Sequence, residues 1–146
     1  MSVIDRTSLV LKRTFDAPVE QVYAAWTDPD AIAQWFLGDD CKSCKVSAAD
    51  ARVNGRYEFM MTHTNGESCR VQGLYHEVEP NRKLVFSWAW SHEPERESLV
   101  MVEFMDQGGK TLLKLTHTRL PDPHSRDCHL KGWAACLDHL QGWLAD

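Results

Sequence analysis

Hydrophobic and polar residues follow two different periods along this chain, and the changes between them divide it into three parts. The opening segment SLVLKRTF alternates, which predicts a β-strand that ends before Pro18. From Pro18 to Phe36 the apolar residues recur every three or four positions, which predicts two short helices. We expect Asp16 or Ala17 to cap the first of these helices and Asp28 to cap the second.

From about residue 44 to residue 120 the period is two, which predicts about six strands joined in sequence as an antiparallel meander. Pairs of turn-forming residues separate the strands, and they are Asn54-Gly55, Asn65-Gly66, Pro80-Asn81 and Gly108-Gly109. One stretch, LVFSWAW at 84–90, places Leu84, Phe86, Trp88 and Trp90 on a single face. That face is either packed core or the wall of a binding site.

Residues 124–146 return to a helical period and predict one long C-terminal helix. Its apolar stripe consists of Leu130, Trp133, Leu137, Leu140 and Leu144. Gly132 lies beside this stripe, where it either permits a close approach to the sheet or is a simple irregularity of the helix. A sheet with one apolar face must be covered, and only this helix is long enough to cover it. The sequence therefore predicts an α+β fold, in one domain over residues 1–146, with a curved antiparallel sheet of six to seven strands around the helix.

Five segments resemble the family of activator of heat-shock-protein-90 ATPase homologues, within the START-like, or helix-grip, superfamily. They are RTFDAPVEQVYAAWTDPDAIAQWF, DARVNGRYEF, LVFSWAW, TLLKLTHTRL and HLKGWAACLDHL. The resemblance runs from about Leu9 to Leu144 and implies the helix-grip fold, with a cavity between the sheet and the long helix. It implies function only broadly, because the superfamily includes lipid carriers, hormone-binding proteins, aromatases, cyclases and chaperone partners.

Composition excludes several classes of function. The 146 residues carry 16 Lys and Arg against 21 Asp and Glu, a net charge of −5 without a basic cluster, which argues against nucleic-acid binding. No apolar run approaches the roughly 20 residues of a membrane span, and the start lacks the pattern of a secretory signal. We expect a cytoplasmic protein, a monomer or a homodimer, without a cofactor.

The five cysteines offer only a weak metal pattern. Cys41 and Cys44 form one C-x-x-C without a second, and Cys69 is a candidate third ligand. Residues 124–129 contain further candidates, namely His124, Cys128 and His129. We expect reduced thiols and no metal site, because these spacings do not match those of known zinc sites.

The residues expected to line a ligand cavity are Trp35, Phe59, Met61, Tyr75, Phe86, Trp88, Phe104, Leu115, His117 and Cys136. His63 and His117 both fall on apolar faces, and His117 is the stronger candidate for facing a ligand. No catalytic motif stands out, so an enzyme is the less expected class. The sequence predicts the binding of an apolar or aromatic small molecule. The alternatives are a chaperone-interacting module that stimulates a heat-shock-protein ATPase and a pocket enzyme of the aromatase or cyclase type.

Overall fold

The computed structural model describes residues 7–38 and 40–145 of the chain. In chain order, the elements are β1 (Leu9–Phe15), α1 (Val19–Thr27), α2 (Pro29–Trp35), β2 (Cys41–Ala49), β3 (Arg56–His63), β4 (Ser68–Glu79), β5 (Lys83–Trp90), β6 (Ser98–Asp106), β7 (Thr111–Thr118) and α3 (Pro123–Ala145). The predicted order of one strand, two short helices, six strands and a long helix is confirmed.

Within the described residues, the strands form a single antiparallel sheet in the order β1-β7-β6-β5-β4-β3-β2. The sheet curls around α3, which buries Trp133, Cys136, Leu137 and Leu140. The first strand forms one edge of the sheet and pairs with the last strand, so that Leu9 lies opposite His117. This is the helix-grip arrangement that the alternating pattern and the long apolar stripe predicted.

The two short helices begin differently. Asp28 caps α2 as predicted, because its side chain accepts a hydrogen bond from the backbone N–H of Asp30 at 3.0 Å. The prediction that Asp16 or Ala17 caps α1 is wrong. Pro18 itself is the N-cap, in an extended conformation, and its carbonyl accepts the first helical hydrogen bonds. Proline suits this position because its φ is already fixed near the required value.

The predicted turns lie where the sequence places them, with positive φ angles at Asn54, Gly66, Asn81, Gly108 and Gly109. The first hairpin is wider than predicted, because β2 ends at Ala49 and a loop of residues 50–55 follows. That loop pairs with β4 instead of turning tightly. The N–H of Asn54 donates to the carbonyl of Tyr75, and the N–H of Tyr75 donates to the carbonyl of Gly55.

The strand β5 is buried at every position from Leu84 to Ala89, so both of its faces are covered. On the inner face it packs against α3 and α2. Beside it, Gly73 of β4 leaves room for the ring of Tyr57, whose hydroxyl donates to the carbonyl of Ser87. A Cβ atom at Gly73 would lie 2.0 Å from that carbonyl oxygen. The close packing around β5 therefore depends on a missing side chain.

Candidate functional site

A cavity of about 250 Å³ lies between the sheet and the first half of α3. Its walls come from the end of α2, from β2, β3 and β5, and from α3. The lining residues are Phe36, Gly38, Cys41, Met61, His63, Trp88, Trp90, Cys128, His129, Gly132, Trp133 and Cys136. Most of these side chains are aromatic, sulfur-containing or absent, so the walls are predominantly apolar.

Gly132 provides much of this space. A Cβ atom built on Gly132 would meet no atom within 4 Å, so the backbone of α3 faces open volume at this point. The expectation that Gly132 lets the helix approach the sheet closely is wrong. Cys128 and Cys136 lie four positions before and after Gly132, about one helical turn away, and both line the same cavity. Small residues at positions 128, 132 and 136 thus form the helical wall.

Two tryptophans line the cavity, and the N–H group of each indole is already hydrogen-bonded to a histidine. The rings of Trp88 on β5 and Trp133 on α3 lie 5.0 Å apart, and both residues are buried. The indole N–H of Trp88 donates to Nε2 of His129 at 3.2 Å. The indole N–H of Trp133 donates to Nδ1 of His117 at 3.0 Å. Each ring therefore offers the cavity carbon surface, with its hydrogen-bonding requirement already met.

The hydrogen bonds around His117 fix its tautomer. An indole nitrogen can only donate, so Nδ1 of His117 must accept from Trp133. In the neutral ring Nε2 then carries the proton and donates to Oγ of Ser98 at 2.7 Å. The Ser98 hydroxyl in turn donates to the carbonyl of Trp88 at 3.1 Å. Burial lowers the pKa of His117 to about 3, with a smaller contribution from His129, so the ring is neutral near pH 7.

His129 has the opposite tautomer. Its Nδ1 lies 2.7 Å from the carbonyl of Ser125, to which it donates, so Nε2 is free to accept from Trp88. Burial lowers the pKa of His129, and the hydrogen bond to the Ser125 carbonyl partly opposes that shift. Trp88 is thus fixed to α3 through its indole and to Ser98 of β6 through its backbone carbonyl. These two hydrogen bonds hold Trp88 in position in the cavity wall.

The ten residues expected to contact a ligand separate into three groups. Met61, Trp88 and Cys136 line the cavity. A separate void of about 10 Å³ is surrounded by the aromatic residues of the expected set, namely Trp35, Phe59, Tyr75 and Phe86. The packed core behind these walls contains Phe104, Leu115 and His117. Ligand contact by the ten residues remains a prediction, and the geometry favours the first group.

Most of the remaining cavity residues were not selected from the sequence. Cys41, Cys128 and His129 were considered only as metal ligands, and His63 was the weaker of the two histidine candidates. Phe36 and Gly38 lie at and beyond the end of α2, where a periodic pattern does not define which way a side chain points. Trp90 was placed on the same face as Trp88 but was not named among the expected lining residues. One signal was available: the spacing of Cys128, Gly132 and Cys136 marks a stripe of small residues along one face of the helix.

A more polar groove of about 320 Å³ adjoins the cavity. The two spaces share four lining residues, which are Trp88, Trp90, Cys128 and His129. The groove also carries charged side chains, including Glu93 and Arg96, whose carboxylate oxygen and Nε lie 3.4 Å apart. An apolar cavity thus lies next to a more polar groove.

The metal candidates are not assembled into a site. Among the residues that the structure describes, no group of three or more His, Cys, Asp and Glu side chains is placed to hold a metal ion. Cys44 points into the core, and burial, with the neighbouring Cys41, raises the pKa of its thiol to about 12. Over residues 7–38 and 40–145, no helix is both long and apolar enough to cross a membrane.

The chain is similar to known proteins over most of its length. Residues 16–145 match the family model described as activator of Hsp90 ATPase homolog 1-like protein. The chain belongs to this family. An uncharacterized protein of Schizosaccharomyces pombe is 30% identical over 93 residues, which cover 64% of this chain and 24% of the yeast protein. The chain therefore spans about a quarter of the length of that relative.

Solved structures with the same fold extend the family comparison. A protein from Chromobacterium violaceum superposes with a TM-score of 0.86 at 24% identity, covering 94% of this chain and 96% of its own. A putative protein in the dynemicin biosynthetic locus superposes with a TM-score of 0.75 at 25% identity. That match covers 95% of this chain and 47% of the dynemicin-locus protein. The family and the helix-grip fold that the sequence motifs implied are confirmed.

Proposed function

We propose that this protein binds an apolar or aromatic small molecule in the cavity between the sheet and α3. The observation that carries the proposal is the open volume beside Gly132, facing the rings of Trp88 and Trp133. Protein interiors are close-packed, and side chains normally fill spaces of this size. A cavity of about 250 Å³ bounded by a glycine is therefore a departure from ordinary packing.

The chemistry of the walls selects an apolar ligand. Trp88 and Trp133 have their N–H groups bonded to histidines, so they offer flat carbon surfaces and no additional donor. Met61 and Cys136 add polarizable sulfur surface on the other sides. The volume is just below the range of about 300–1,000 Å³ found for small-molecule sites, which suits a ligand of one to three rings.

Family and fold membership also support the proposal. Helix-grip proteins share a space between the sheet and the C-terminal helix. One structural match is a putative protein in the dynemicin biosynthetic locus, and this locus directs the synthesis of a small molecule. Fold alone does not define a ligand, so the argument depends mainly on the cavity walls.

The test is a fluorescence titration with a panel of fatty acids, flavonoids and polycyclic aromatics. Trp88 and Trp133 report binding directly because they line the cavity. The decisive variant is Gly132→Leu, whose side chain would occupy the open volume. Gly142→Leu is the matched control, since a Cβ atom at Gly142 also meets no atom within 4 Å but the residue lies on the exposed surface of α3.

We expect at least one panel member to give a saturable response with wild type and with Gly142→Leu. Gly132→Leu should weaken that affinity by at least about tenfold, or 1.4 kcal/mol. Neither leucine should unfold the protein, because replacing a helical glycine improves helix propensity by up to about 1 kcal/mol. Equal affinities for all three proteins would contradict binding in this cavity.

The second candidate function is stimulation of an Hsp90-type ATPase, which the description of the family favours. Such a module would act through its surface, so Gly132→Leu should leave the stimulation unchanged. ATPase measurements with wild type and Gly132→Leu separate the two candidates. Equal stimulation by both proteins, together with no saturable response to the panel, would replace ligand binding with the chaperone function.

A further inference from the structure

The ring of His63 lies between two thiols at the edge of the cavity. Its Nδ1 is 3.6 Å from Sγ of Cys41, and its Nε2 is 3.4 Å from Sγ of Cys69. All three side chains are half-buried, so they are neither sealed in the core nor fully in solvent. A histidine with one thiol at each ring nitrogen can take a proton from one side while donating a proton to the other.

The strand register produces this cluster. Cys41 of β2 pairs with His63 of β3, and a bulge between Cys41 and Ser43 changes the alternation that follows. Because of the bulge, Cys41 shares the inner face with Cys44, although three positions separate them. Cys69 lies across β3 on β4, where it pairs with Met61. A β-bulge therefore turns the Cys41 thiol toward the cavity.

This geometry favours acid–base chemistry over a disulfide or a metal site. Cys41 and Cys69 are on strands that flank β3, so their Cα atoms are roughly 10 Å apart, beyond the roughly 7 Å limit for a disulfide. The two sulfurs also contact different nitrogens of one ring, so they do not converge with a single nitrogen on one metal position. The arrangement is instead that of an imidazole base, His63, beside the thiol that it would deprotonate.

The cluster opens onto the proposed ligand site. Cys41 and His63 line the cavity that Trp88 and Trp133 also line, whereas Cys69 lines the polar groove on the other side. A ligand held against the two indole rings therefore lies in the same space as the Cys41 sulfur. The base and the thiol come from adjacent strands and lie directly opposite each other in the register.

We propose that Cys41, with His63 as its base, captures apolar α,β-unsaturated carbonyl compounds covalently in this cavity. The proposal rests on the ligand-binding function proposed above and names a chemical class for the ligand. Cys69 acts as a positioning residue in the proposal: in the tautomer of His63 that donates its Nε2–H to the Cys69 sulfur, Nδ1 is the atom that takes the Cys41 proton.

The step balances without another reactant. The proton of the Cys41 thiol passes to Nδ1 of His63, and the thiolate sulfur attacks the β-carbon of the alkene. A carbon–sulfur bond forms as the π electrons of the carbon–carbon double bond move to the carbonyl as an enolate. The imidazolium of His63 then returns its proton to the α-carbon. The result is the addition of S–H across a double bond, with no external oxidant or reductant.

The other cysteines differ in ways that leave Cys41 as the expected nucleophile. Burial raises the pKa values of the thiols of Cys44 and Cys136, which keeps both protonated at neutral pH. Cys128 is exposed, and its sulfur lies 3.7 Å from His124 on the helix surface. It lines the cavity but reaches solvent, so it serves as the internal comparison for unselective labelling.

The experiment uses chalcone, an apolar enone with two rings, and dihydrochalcone, its saturated counterpart. Dihydrochalcone binding, followed by tryptophan fluorescence, tests the cavity without chemistry. Chalcone addition to the fully reduced protein is then followed by intact mass, and peptide mapping identifies the modified residue. The variants are Cys41→Ser, His63→Gln, Cys69→Ala and Cys69→Ser, with Cys44→Ala as the control outside the cavity.

We expect one chalcone on Cys41 of the wild type and of Cys44→Ala, and no addition at position 41 in Cys41→Ser. His63→Gln should slow addition on the order of tenfold at pH 7. An ordinary thiol is about 3% ionised at pH 7, so complete ionisation would raise the rate of addition by at most roughly 30-fold. The net gain is smaller, because a more acidic thiol is also a weaker nucleophile. Cys69→Ala should slow addition as well, and Cys69→Ser should restore it because a hydroxyl oxygen also accepts a hydrogen bond.

The outcomes separate this inference from the function on which it rests. If dihydrochalcone binds but chalcone leaves Cys41 unmodified, or modifies only Cys128, covalent capture is overturned and ligand binding stands. If Cys41 reacts at the same rate in His63→Gln, the base is overturned. If neither compound binds or reacts, both proposals fail for this ligand class.

Discussion

The indole N–H of Trp133 on α3 donates to Nδ1 of His117 on β7, with 3.0 Å between the two nitrogens. This contact sets the direction of every following hydrogen bond, through Ser98 to the carbonyl of Trp88. A series of hydrogen bonds, with a defined donor and acceptor at each step, therefore joins α3 to three strands inside an apolar core. Such a chain stabilises one arrangement of the cavity wall, because any other leaves a buried group unsatisfied.

The neutral state of His117 predicts how stability depends on pH. Its folded pKa, about 3, lies below the unfolded value near 6.5. Between these values the unfolded chain binds more protons, so stability is complete above pH 6.5 and falls as the pH is lowered towards 3. The loss attributable to His117 is up to about 1.4 kcal/mol per pH unit, or about 2 kcal/mol between pH 7.5 and pH 5.

Urea unfolding of wild type and His117→Gln at pH 7.5 and pH 5 measures this contribution. His117→Gln should be less stable at pH 7.5 but should lose less stability on acidification than wild type. His129, whose pKa is also lowered, contributes in the same direction in both proteins. Identical pH slopes for the two proteins would mean that His117 does not titrate as its burial requires.

Replacing Trp133 with phenylalanine tests the hydrogen bond separately from the packing. The smaller ring keeps an aromatic surface but removes the donor, which leaves Nδ1 of His117 buried and unpaired. We expect a loss of about 1–3 kcal/mol in the free energy of unfolding. Trp143→Phe on the same helix is the control, because Trp143 is only half-buried. Equal losses in the two variants, measured by urea unfolding, would argue against the Trp133–His117 link.

Gly73 should tolerate no side chain, for a reason that lies in the neighbouring strand. A Cβ atom there would lie 2.0 Å from the carbonyl oxygen of Ser87 and 2.6 Å from the ring of Tyr57. Gly73→Ala should therefore force β4 away from β5 and cost several kcal/mol, or prevent folding. Gly142→Ala, where the added atom meets nothing, should raise stability by up to about 1 kcal/mol. Thermal melts that shift equally for both variants would contradict this packing.

The fold followed from the sequence because its signals are local and repeated. Alternation of Val100, Val102 and Phe104 defines one face of β6, and all three are buried. Asn54 and Asn81 have the positive φ angles that turn chemistry predicted. The stripe through Trp133, Leu137 and Leu140 likewise defines the face of α3 that meets the sheet. Each of these inferences needs only residues that are close in the chain.

Met61, Trp88 and Cys136 of the expected set line the cavity, but most of its lining did not follow from the sequence, because it depends on departures from a regular pattern. A bulge reverses the alternation after Cys41, so the facing of its thiol cannot be read from a period of two. Gly132 contributes space, and a missing side chain carries no hydrophobic signal. His117 is fully buried beside the indoles of Trp88 and Trp133, and its expected contact with a ligand remains a prediction. The position of a cavity beside a buried residue depends on packing between segments that are far apart in the chain.

The location of a bound ligand tests the central proposal most directly. The tryptophan indole N–H signals of ¹⁵N-labelled protein serve as reporters, titrated with the tightest binder of the panel. We predict that the signals of Trp88, Trp90 and Trp133 shift together and saturate, because these three rings line the cavity. The signal of Trp143 should stay in place. Shifts confined to Trp143, or no shift in the three cavity signals at saturating ligand, would contradict binding between the sheet and α3.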